Sequence, residues 1–588
     1  MAELAMRGKS GAPINAPSGK PRGDLTLIRG GLDYRSKVDM KWIKGRVKDM
    51  VDERELWRPQ WVEIGQFIAP RRSHFLSSQD LQRVDGRKRN QKILNSKATR
   101  SVRRAVAGFQ SGMTPRTRPW FIFETEKFDD EVDFESTVWS DSARKVVSSI
   151  LQRSNFYQGT QLVYEDAVPF GTGALQIDEV DGYETINCIV HPIGSYLVDT
   201  NDRGVVDTFA RPFRWTLKQI INRFGLKSLS PTLQTQAKQS IGSKHKIWNC
   251  IYPNDDYQQG MIGPLGKKFL SVWWVEGEEE TYGPVRIDGY HEFPVFVLRF
   301  WKVAEEAWGQ SPGMDALPDV KALQKETSLK LLGIEKSVAP SLKGPGSMKE
   351  APSRAPGSYT AVSEPDKVTN LEDSGFDLTP VFQDIELLKA DIADAFFEPL
   401  FTAIIDTARR QRTASEVEKI EAEKYSMLGP VLENIIDDLL EPAISRVYAI
   451  AARRGMIPDP PESLVGRPVQ IAFVSILAQA QKALEAVGVE QLMAFVGNLA
   501  EVFPEMRYRI NQHVAVERYA DAVGATPILG SREDAEEQMA ADAQAQRQAQ
   551  QLAAMESMAK SARDAAGAQT SEPSALTAIA DQFAGGRA

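Results

Sequence analysis

The sequence has few of the residues that build disulfide frameworks or metal sites. Its 588 residues include two cysteines, Cys188 and Cys250, and five histidines, none within a helical turn of another. It has no Cys-x-x-Cys pair and no His-Glu-x-x-His sequence. Two thiols in so long a chain are typical of isolated core residues. His191, which precedes Pro192 at the end of an apolar run, is predicted to be a turn or core histidine. We expect no bound metal and no cofactor.

Motifs for nucleotide binding and for nucleophilic catalysis are also missing. Gly8-Lys9-Ser10 ends like a phosphate-binding loop, but the first position of that motif is occupied by Glu3. No Gly-x-Ser-x-Gly sequence is present. On a helix, Asp437 and Asp438 would point about 100° apart and would not converge. The sequence therefore predicts no enzyme, although a nuclease stays open as an alternative because its carboxylates need not be adjacent.

Long apolar runs are absent, whereas charge is abundant and unevenly placed. No run of about 18 apolar residues occurs, and the first residues lack the apolar core of a secretory signal, so we expect no membrane contact. Residues 1–120 carry 26 Lys and Arg against 11 Asp and Glu, a net +15, while the remainder is −23. This asymmetry indicates a nucleic-acid or acidic partner, or, as the alternative, a solvated basic face.

The N-terminal part reads as a polar arm followed by helices. Residues 1–41 are predicted to be a disordered basic arm. In the next segment, to about Pro70, one apolar helix face is predicted, with Pro59 in the first turn. That face consists of Trp57, Trp61, Ile64 and Ile68. A helix over 93–113 has a clear apolar stripe and stops at Thr114-Pro115. Its stripe consists of Ala98, Val102, Ala105, Val106, Phe109 and Met113.

A strand, Trp120 to Phe123, and a further helix over 132–153 follow. The core candidates of that helix are Val138, Trp139, Val146, Ile150 and Leu151. From about 171 to 300 the pattern is typical of strands joined by turns. The predicted strands are 173–180, 183–190, 205–213, 246–252, 270–276 and 293–301, with a helix from Leu217 to Phe224 that ends at Gly225.

From Ser311 the sequence is predicted to be helical to about Val338. Residues 340–380 are rich in Pro, Gly and Ser, with strand signals near 358–362 and 367–371. Helices are predicted to dominate from 381 to 525. Residues 533–566, rich in Ala, Gln and Glu, are typical of a solvated helix or a weak coiled coil. The fold class is therefore predicted as α+β, mainly α.

One short basic cluster stands out between two predicted helices. Arg409, Arg410 and Arg412 precede Thr413, and Glu416 follows Thr413 at the spacing of a capping box. Such a cap would hold three arginines at the positive end of a helix, a geometry suited to phosphate contact. The alternative is an ordinary capped helix with solvated arginines.

Several stretches, taken together and in order, resemble one family. The segment from Thr413 through Leu428-Gly429-Pro430 to Arg446 and Arg454-Gly455 is similar to the head-to-tail connector, or portal, proteins of short-tailed phages. Stretches in the same order resemble the family's opening Trp-rich helix, next helix and strand, strand-turn-helix core and stem entry. They are 57–75, 95–123, 191–225 and 308–325. The resemblance covers about 42–525, with Ser415 where Thr is commoner.

The resemblance implies a portal fold assembled as a ring, most often of twelve subunits, around a DNA channel. By analogy, the chain divides into a wing, a stem helix, a clip, a returning helix with channel loop and capped helix, a helical wing or crown region, and a tail that is a helical barrel or disordered. These segments would be 42–310, 311–338, 339–380, 381–430, 431–525 and 526–588. Arg409, Arg410 and Arg412 would lie on the channel loop, capped by Thr413 and Glu416.

The implied function is a DNA conduit at one capsid vertex, for genome packaging, head-tail joining and genome ejection. The implied partners are double-stranded DNA, the terminase, tail adaptor proteins, and capsid and scaffolding proteins, with assembly in the host cytoplasm and a final place in the virion. A protein-binding scaffold or adaptor without a channel stays open beside the nuclease. A mostly acidic body suits a channel through which DNA must slide, since each phosphate contact adds affinity.

Overall fold

The computed structural model separates into two units, Met1–Ser475 and Ile476–Ala588. The residues that it describes are 5–7, 13–15, 38–72, 76, 92–125, 134–338, 342–343, 369–370, 379–401, 428–461, 464, 469–473, 492–496, 516, 519, 544 and 547–561. In the second unit, residues 547–561 are helical and exposed along their whole length. This agrees with the solvated helix predicted within 533–566.

The first unit combines many helices with short antiparallel sheets, which confirms the α+β, mainly α fold class. Its helices are α1 (Met40–Phe67), α2 (Lys97–Met113), α3 (Phe134–Arg153), α4 (Phe156–Phe170), α5 (Leu217–Phe224), α6 (Pro231–Gln239), α7 (Pro312–Asp315), α8 (Leu317–Val338), α9 (Thr379–Ala395) and α10 (Glu441–Arg453). A helical segment at 428–435 and a π-helical turn, Ile436–Leu440, lead directly into α10.

Each strand among the described residues pairs with an antiparallel neighbour. They are β1 (Ala5–Arg7), β2 (Pro13–Asn15), β3 (Phe121–Thr125), β4 (Thr172–Glu179), β5 (Ile186–His191), β6 (Leu197–Thr200), β7 (Val206–Thr216), β8 (Lys244–Pro253), β9 (Phe269–Val275), β10 (Arg286–Tyr290), β11 (Val295–Arg299), β12 (Leu342–Lys343), β13 (Thr369–Asn370) and β14 (Val469–Phe473). The sheet orders are β10-β9-β8-β7-β6, β11-β4-β5, β14-β3, β1-β2 and β12-β13.

The prediction for α1 was right about the helix and wrong about its start. Asp39 caps the helix by accepting hydrogen bonds from the Lys41 and Trp42 amides, so α1 begins at Met40 and Pro59 lies well inside it. The early half of α1 is helical because Ile43, Val47 and Met50 pack against the five-stranded sheet. Tertiary packing therefore extends the helix through a residue that lacks an amide donor.

Helix α2 matches its prediction closely. All six predicted stripe residues are buried, and the helix ends at Thr114. In α3, Trp139, Ile150 and Leu151 are buried as predicted, but Val138 is 49% exposed, so its assignment to the core was wrong. Val138 directly precedes Trp139 and therefore points about 100° away from it on the helix. Helix α4, with ten buried residues, was not predicted.

The five-stranded sheet separates two small cores, which follows from the alternation of side chains along a strand. On β9, Val272 and Trp274 face α1, whereas Trp273 and Val275 face α5 and α6. The predicted strands correspond to β4, β5, β7, β8, β9 and β11. Strands β6 and β10 and helix α6 were not predicted. Helix α5 was predicted with its bounds and its stop at Gly225, whose φ is +82°.

The segment after Ser311 is helical as predicted, with α7 and α8 separated at Ala316. Of the two strand signals between 340 and 380, the later one matches β13, and 358–362 lies outside the described residues. The prediction that helices dominate from 381 to 525 missed a strand. Strand β14 pairs with β3, from Val469 opposite Thr125 to Phe473 opposite Phe121. This pairing joins distant parts of the chain, which local pattern does not reveal.

Candidate functional site

The predicted channel residues Arg409, Arg410, Arg412, Thr413 and Glu416 lie outside the described residues, within 402–427. The basic loop and its capping box therefore stay predictions. The structure does describe the chain on both sides of this segment, up to 401 and from 428 onwards. What those flanks contact decides how firmly the ends of the segment are held.

The incoming flank is fixed to α2 by a buried carboxylate. Glu398 accepts a hydrogen bond from the Ser101 hydroxyl at 2.6 Å and pairs with the Lys97 ammonium at 2.8 Å. Arg104 also pairs with Glu398. A buried carboxylate with several donors is costly to disrupt, because loss of its partners would leave an uncompensated charge. Sequence reasoning did not identify Glu398.

The last residue described before 402 is locked by ring packing. The Phe401 ring meets Phe109 edge-on, with centroids 5.1 Å apart. Gly108 makes room for this ring, since a Cβ at that position would overlap the Phe401 side chain. Helix α2 thus holds the incoming flank by an ion-pair cluster and by an aromatic contact that requires glycine.

The outgoing flank is held through the π-helical turn. Arg299, almost fully buried on β11, donates from Nε to Asp438 at 3.2 Å and from Nη2 to the Gly204 carbonyl at 2.8 Å. Lys302 adds an ion pair to Asp438 at 2.9 Å. A π-helical turn changes which side chains face inward, and such turns are frequent at functional positions. An arginine within an otherwise apolar strand was the available sequence signal for this pair.

Arg446, one of the residues that carried the family resemblance, is a structural anchor. It is 3% exposed, and its Nε donates to the Ile177 carbonyl at 2.8 Å. Its Nη1 donates to the carbonyl of Glu292 at 3.1 Å and to that residue's carboxylate at 3.2 Å. One guanidinium therefore ties α10 to β4 and to the turn before β11.

The C-terminal end of α10 is held to the same sheet. Arg454 donates from Nε to Glu179 and from Nη2 to the Val180 carbonyl, both at 2.8 Å. Gly455 has a φ of +66°, a conformation that glycine adopts at no steric cost and that ends the helix. The Arg454-Gly455 pair that belongs to the resemblance therefore fastens the helix to the end of β4.

Helix α8 carries apolar side chains that the described part of the subunit leaves exposed. Leu329, Leu331, Leu332 and Ile334 are each 38–50% exposed. Leu331 and Ile334 continue the stripe that is buried earlier in α8, while Leu329 and Leu332 lie on nearly the opposite side. A helix that is apolar on two sides is normally covered on both. The C-terminal half of α8 therefore has the character of a contact surface for two neighbours.

Helix α9 packs beside α8 and has the opposite charge. The Lys330 ammonium of α8 lies 5.4 Å from the Phe382 ring centroid of α9. The residues of α9 sum to −3, whereas those of α8 sum to +1. Its outward acids are Asp384, Glu386, Asp391 and Asp394, and Phe382 and Leu387 are exposed beside them. The pair of helices thus presents a basic, apolar edge and an acidic, apolar edge.

The two cysteines and His191, which were considered as possible reactive residues from the sequence, are buried. Cys188 and Cys250 are free and buried, and burial raises the pKa of each thiol to about 12. His191 is buried and contacts the Gln176 amide oxygen at 2.9 Å and the Arg211 guanidinium. Burial, followed by the Arg211 charge, lowers the pKa of His191 well below its ordinary range. These residues are core residues, as predicted.

The described part of the chain contains neither a metal-binding cluster nor a helix that could span a membrane. Within it, no group of three or more His, Cys, Asp or Glu side chains is placed to hold a metal ion. No helix among those described is long and apolar enough to cross a bilayer.

Comparison with known proteins assigns the chain to a family. A family model described as bacteriophage head to tail connecting protein matches residues 40–529. The portal protein of Salmonella phage epsilon15 is 32% identical over 550 residues, covering 91% of this chain and 97% of that protein. The probable portal protein of Bordetella phage BPP-1 is 29% identical over 558 residues, covering 93% and 99%.

A solved structure entitled "Neck of native GTA particle computed with C12 symmetry" also matches, at 12% identity and a TM-score of 0.34. The match covers 68% of this chain and 86% of that one. The family match and the two relatives cover nearly the whole first unit. On these two findings, the chain belongs to the family of bacteriophage head to tail connecting proteins, the portal proteins.

Proposed function

We propose that this portal protein forms a closed ring, most often of twelve subunits, that serves as a DNA conduit at one capsid vertex. The observation that carries the proposal is the uncovered apolar surface on both sides of α8, in a chain of the portal family. A symmetric dimer uses one self-complementary patch, whereas a head-to-tail ring needs two different patches on each subunit. In the ring, the neighbouring subunits cover the exposed apolar side chains of each α8.

Charge favours the same arrangement. The acidic outer side of α9 in one subunit complements the more basic α8 of the next, so that like charges do not meet at the contact. In such a ring the chain divides as the family resemblance implies, with 42–310 as wing, 311–338 as stem helix and 339–380 as clip. Residues 381–430 form the returning helix, channel loop and capped helix, and 431–525 lead into the crown.

Arg409, Arg410 and Arg412 are the residues that we assign to the passing double-stranded DNA, with Thr413 and Glu416 as the helix cap behind them. The support comes from the anchored flanks. Glu398 and Phe401 hold one end, and Asp438 holds the other. A segment whose two ends are fixed can present arginines at a defined level of the channel. Phosphate contacts of this kind are independent of base sequence.

The partners that we propose are the terminase during packaging, tail adaptor proteins at the clip, and capsid and scaffolding proteins around the wing. The role is structural and not enzymatic, with assembly in the host cytoplasm and a final place at the portal vertex of the virion. Neither the nuclease nor the channel-free scaffold is favoured by any observation among the described residues.

The mass of the purified protein in native buffer tests the ring. We expect a closed assembly of about twelve subunits, with a central opening visible by electron microscopy. A protein that remains a monomer or dimer under every condition, including in the presence of scaffolding protein, would contradict the proposal. Incubation with duplex DNA and Mg²⁺ or Mn²⁺ tests the nuclease, for which we expect no cleavage above background.

A further inference from the structure

A surface of the wing region, distant in sequence from the stem and the channel loop, has an unusual charge. Residues 208–254 contain eight Lys and Arg and no Asp or Glu, in a chain whose net charge is −8. This stretch includes α5, α6 and the strands on either side of them. An acid-free stretch in an acidic protein points to a polyanionic partner.

The exposed side of α5 is polar and basic because its apolar residues all point inward. Leu217, Ile220 and Phe224 are buried in the small core between the sheet and α5. Lys218, Gln219, Asn222 and Arg223 are exposed on the other side. The capping box of Thr216 and Gln219 fixes the start of this short helix.

Arg223 is held in place by aromatic rings. Its guanidinium carbon lies 5.3 Å from the Trp215 ring centroid, 5.9 Å from Phe224 and 4.9 Å from Trp273. Trp215 and Trp273 stack with centroids 5.6 Å apart. No carboxylate among the described residues pairs with Arg223. A cation that is already ordered by stacking loses little side-chain freedom when it binds an anion.

Trp215, Gln219, Asn222 and Arg223 line a recess of about 330 Å³. Amide and guanidinium groups at its wall are donors suited to a carboxylate. Other cations lie in the same stretch of the chain. Lys227 and Lys238 are nearby in sequence, and Lys244 pairs in register with Thr216, just before α5. None of these three lysines pairs with a described acid.

Two glutamates that follow β9 bind groups outside α5. Glu276 accepts from Lys246 and from the Trp248 indole, and Glu278 accepts from the Ser230 hydroxyl. Among the described residues, neither glutamate forms a salt bridge with Lys218 or Arg223.

Two exposed apolar residues flank the basic surface. Ile241 is 50% exposed, and its carbonyl accepts from the Lys218 amide at 3.0 Å, which places it beside the start of α5. Leu226, 42% exposed, follows Gly225 at the other end. Apolar neighbours on both flanks of a basic recess favour a polypeptide over duplex DNA. Phosphates on a duplex lie on a wide convex backbone, which offers no apolar group to Ile241 or Leu226.

We propose that the surface formed by Lys218, Asn222, Arg223, Lys227, Lys238 and Lys244 is a docking site for an acidic polypeptide segment of a partner protein. A carboxylate of that segment enters the recess and pairs with Arg223, with Asn222 as a second donor. Flanking acids meet the surrounding lysines, and an apolar side chain covers Ile241 or Leu226. This docking does not depend on the channel loop or on ring closure.

Fluorescence anisotropy with full-length protein tests the proposal. The probe is a short fluorescein-labelled peptide of alternating Asp and Glu around one Leu. We expect saturable binding that weakens at least about tenfold in the double variant Lys218→Gln with Arg223→Gln. Asn222→Asp, which places a carboxylate in the recess without touching the core, should weaken binding similarly. Circular dichroism and the melting temperature verify folding of each variant.

The matched control is Arg100→Gln with Arg103→Gln on α2, two exposed arginines whose loss changes net charge equally. The control should bind the peptide like the unaltered protein. Equal weakening by the control would show general charge attraction and overturn the docking site. So would the absence of saturable peptide binding. Labelled duplex DNA is the second probe, and a double variant that loses DNA but keeps the peptide would show that the surface binds nucleic acid.

Discussion

The β-rich body and the helices α8 and α9, which we propose as the stem, differ in how many of their contacts a single subunit provides. In the body, Arg299 and Arg446 are buried with several acceptors each, and the core is continuous from α1 to α10. In α8 and α9, leucines and a phenylalanine remain about half exposed. The buried arginines of the body have their partners within one subunit, whereas we propose that neighbouring subunits cover the exposed apolar side chains of α8 and α9. The stem is therefore where assembly, and not folding, should be sensitive to substitution.

The largest expected effect on folding lies in the body. Arg446→Met keeps the apolar stem of the side chain but leaves two carbonyls without this donor, and the Glu292 carboxylate keeps only its pairing with Arg453. We expect a loss of about 3–5 kcal/mol in the free energy of unfolding. Urea unfolding measures it, and Arg103→Met on the exposed side of α2 is the control, with a change within about 0.5 kcal/mol. An Arg446→Met variant with an unchanged free energy of unfolding would contradict the role of Arg446 as a structural anchor.

The stem should show the reverse pattern. Leu329→Asp with Leu332→Asp, or Leu331→Asp with Ile334→Asp, should leave subunit folding nearly unchanged because these side chains are exposed. Each pair should weaken one subunit contact by about 2 kcal/mol or more, since burial of a leucine contributes about 1.5–3 kcal/mol when complete. Size-exclusion chromatography should show rings replaced by small species, whereas Ser337→Asp should still form rings.

Mixing the two stem variants sharpens this test. Each variant keeps the side that the other has lost, so a mixture should yield dimers and no larger species if the two sides contact different neighbours. Rings that form normally from either variant alone would mean that α8 does not make the contact.

The body should also show a moderate pH dependence through His191. The folded chain keeps His191 neutral because burial, assisted by Arg211, lowers its pKa, while the unfolded chain protonates near 6.5. The unfolded state then binds the extra proton, so stability falls as pH decreases below about 6.5, by up to about 1.4 kcal/mol per pH unit. Thermal melts from pH 7 to 5 measure this slope. His191→Gln should flatten it, and an unchanged slope would assign it to other groups.

The smallest effect on stability is expected at the channel loop. Replacing Arg409, Arg410 and Arg412, which we propose to face the channel, together by Ala should change the free energy of unfolding by no more than about 0.5 kcal/mol. Ring assembly should persist, but packaging or retention of DNA should fall. If the triple variant packages DNA like the unaltered protein, these arginines are solvated charges on a capped helix. If the variant fails to assemble, they are subunit contacts.

Local pattern predicted the elements that depend on local physics. The stripe of α2 and the stop of α5 at Gly225 follow from periodicity and from the conformational freedom of glycine. Tertiary contacts account for the failures. Pro59 lies inside α1 because the sheet holds the first half of that helix, and β14 forms because β3, far away in sequence, offers an edge.

The candidate site divides in the same way. The arginine loop and the capping box can be predicted from the spacing of residues in the sequence. The residues that hold the two ends of this segment cannot. Glu398 gains its role from Lys97 and Ser101, and Asp438 from Arg299, all of them distant in sequence. Pairings of this kind depend on the folded topology, which a single sequence does not display.

A reconstruction of the assembled protein by electron microscopy, with α8 resolved, tests the central claim most directly. We expect a closed ring in which Leu329 and Leu332 of each subunit contact one neighbour and Leu331 and Ile334 contact the other, around an open channel. A ring in which either side of α8 faces solvent, or an assembly in which two α8 helices meet through the same residues, would contradict it.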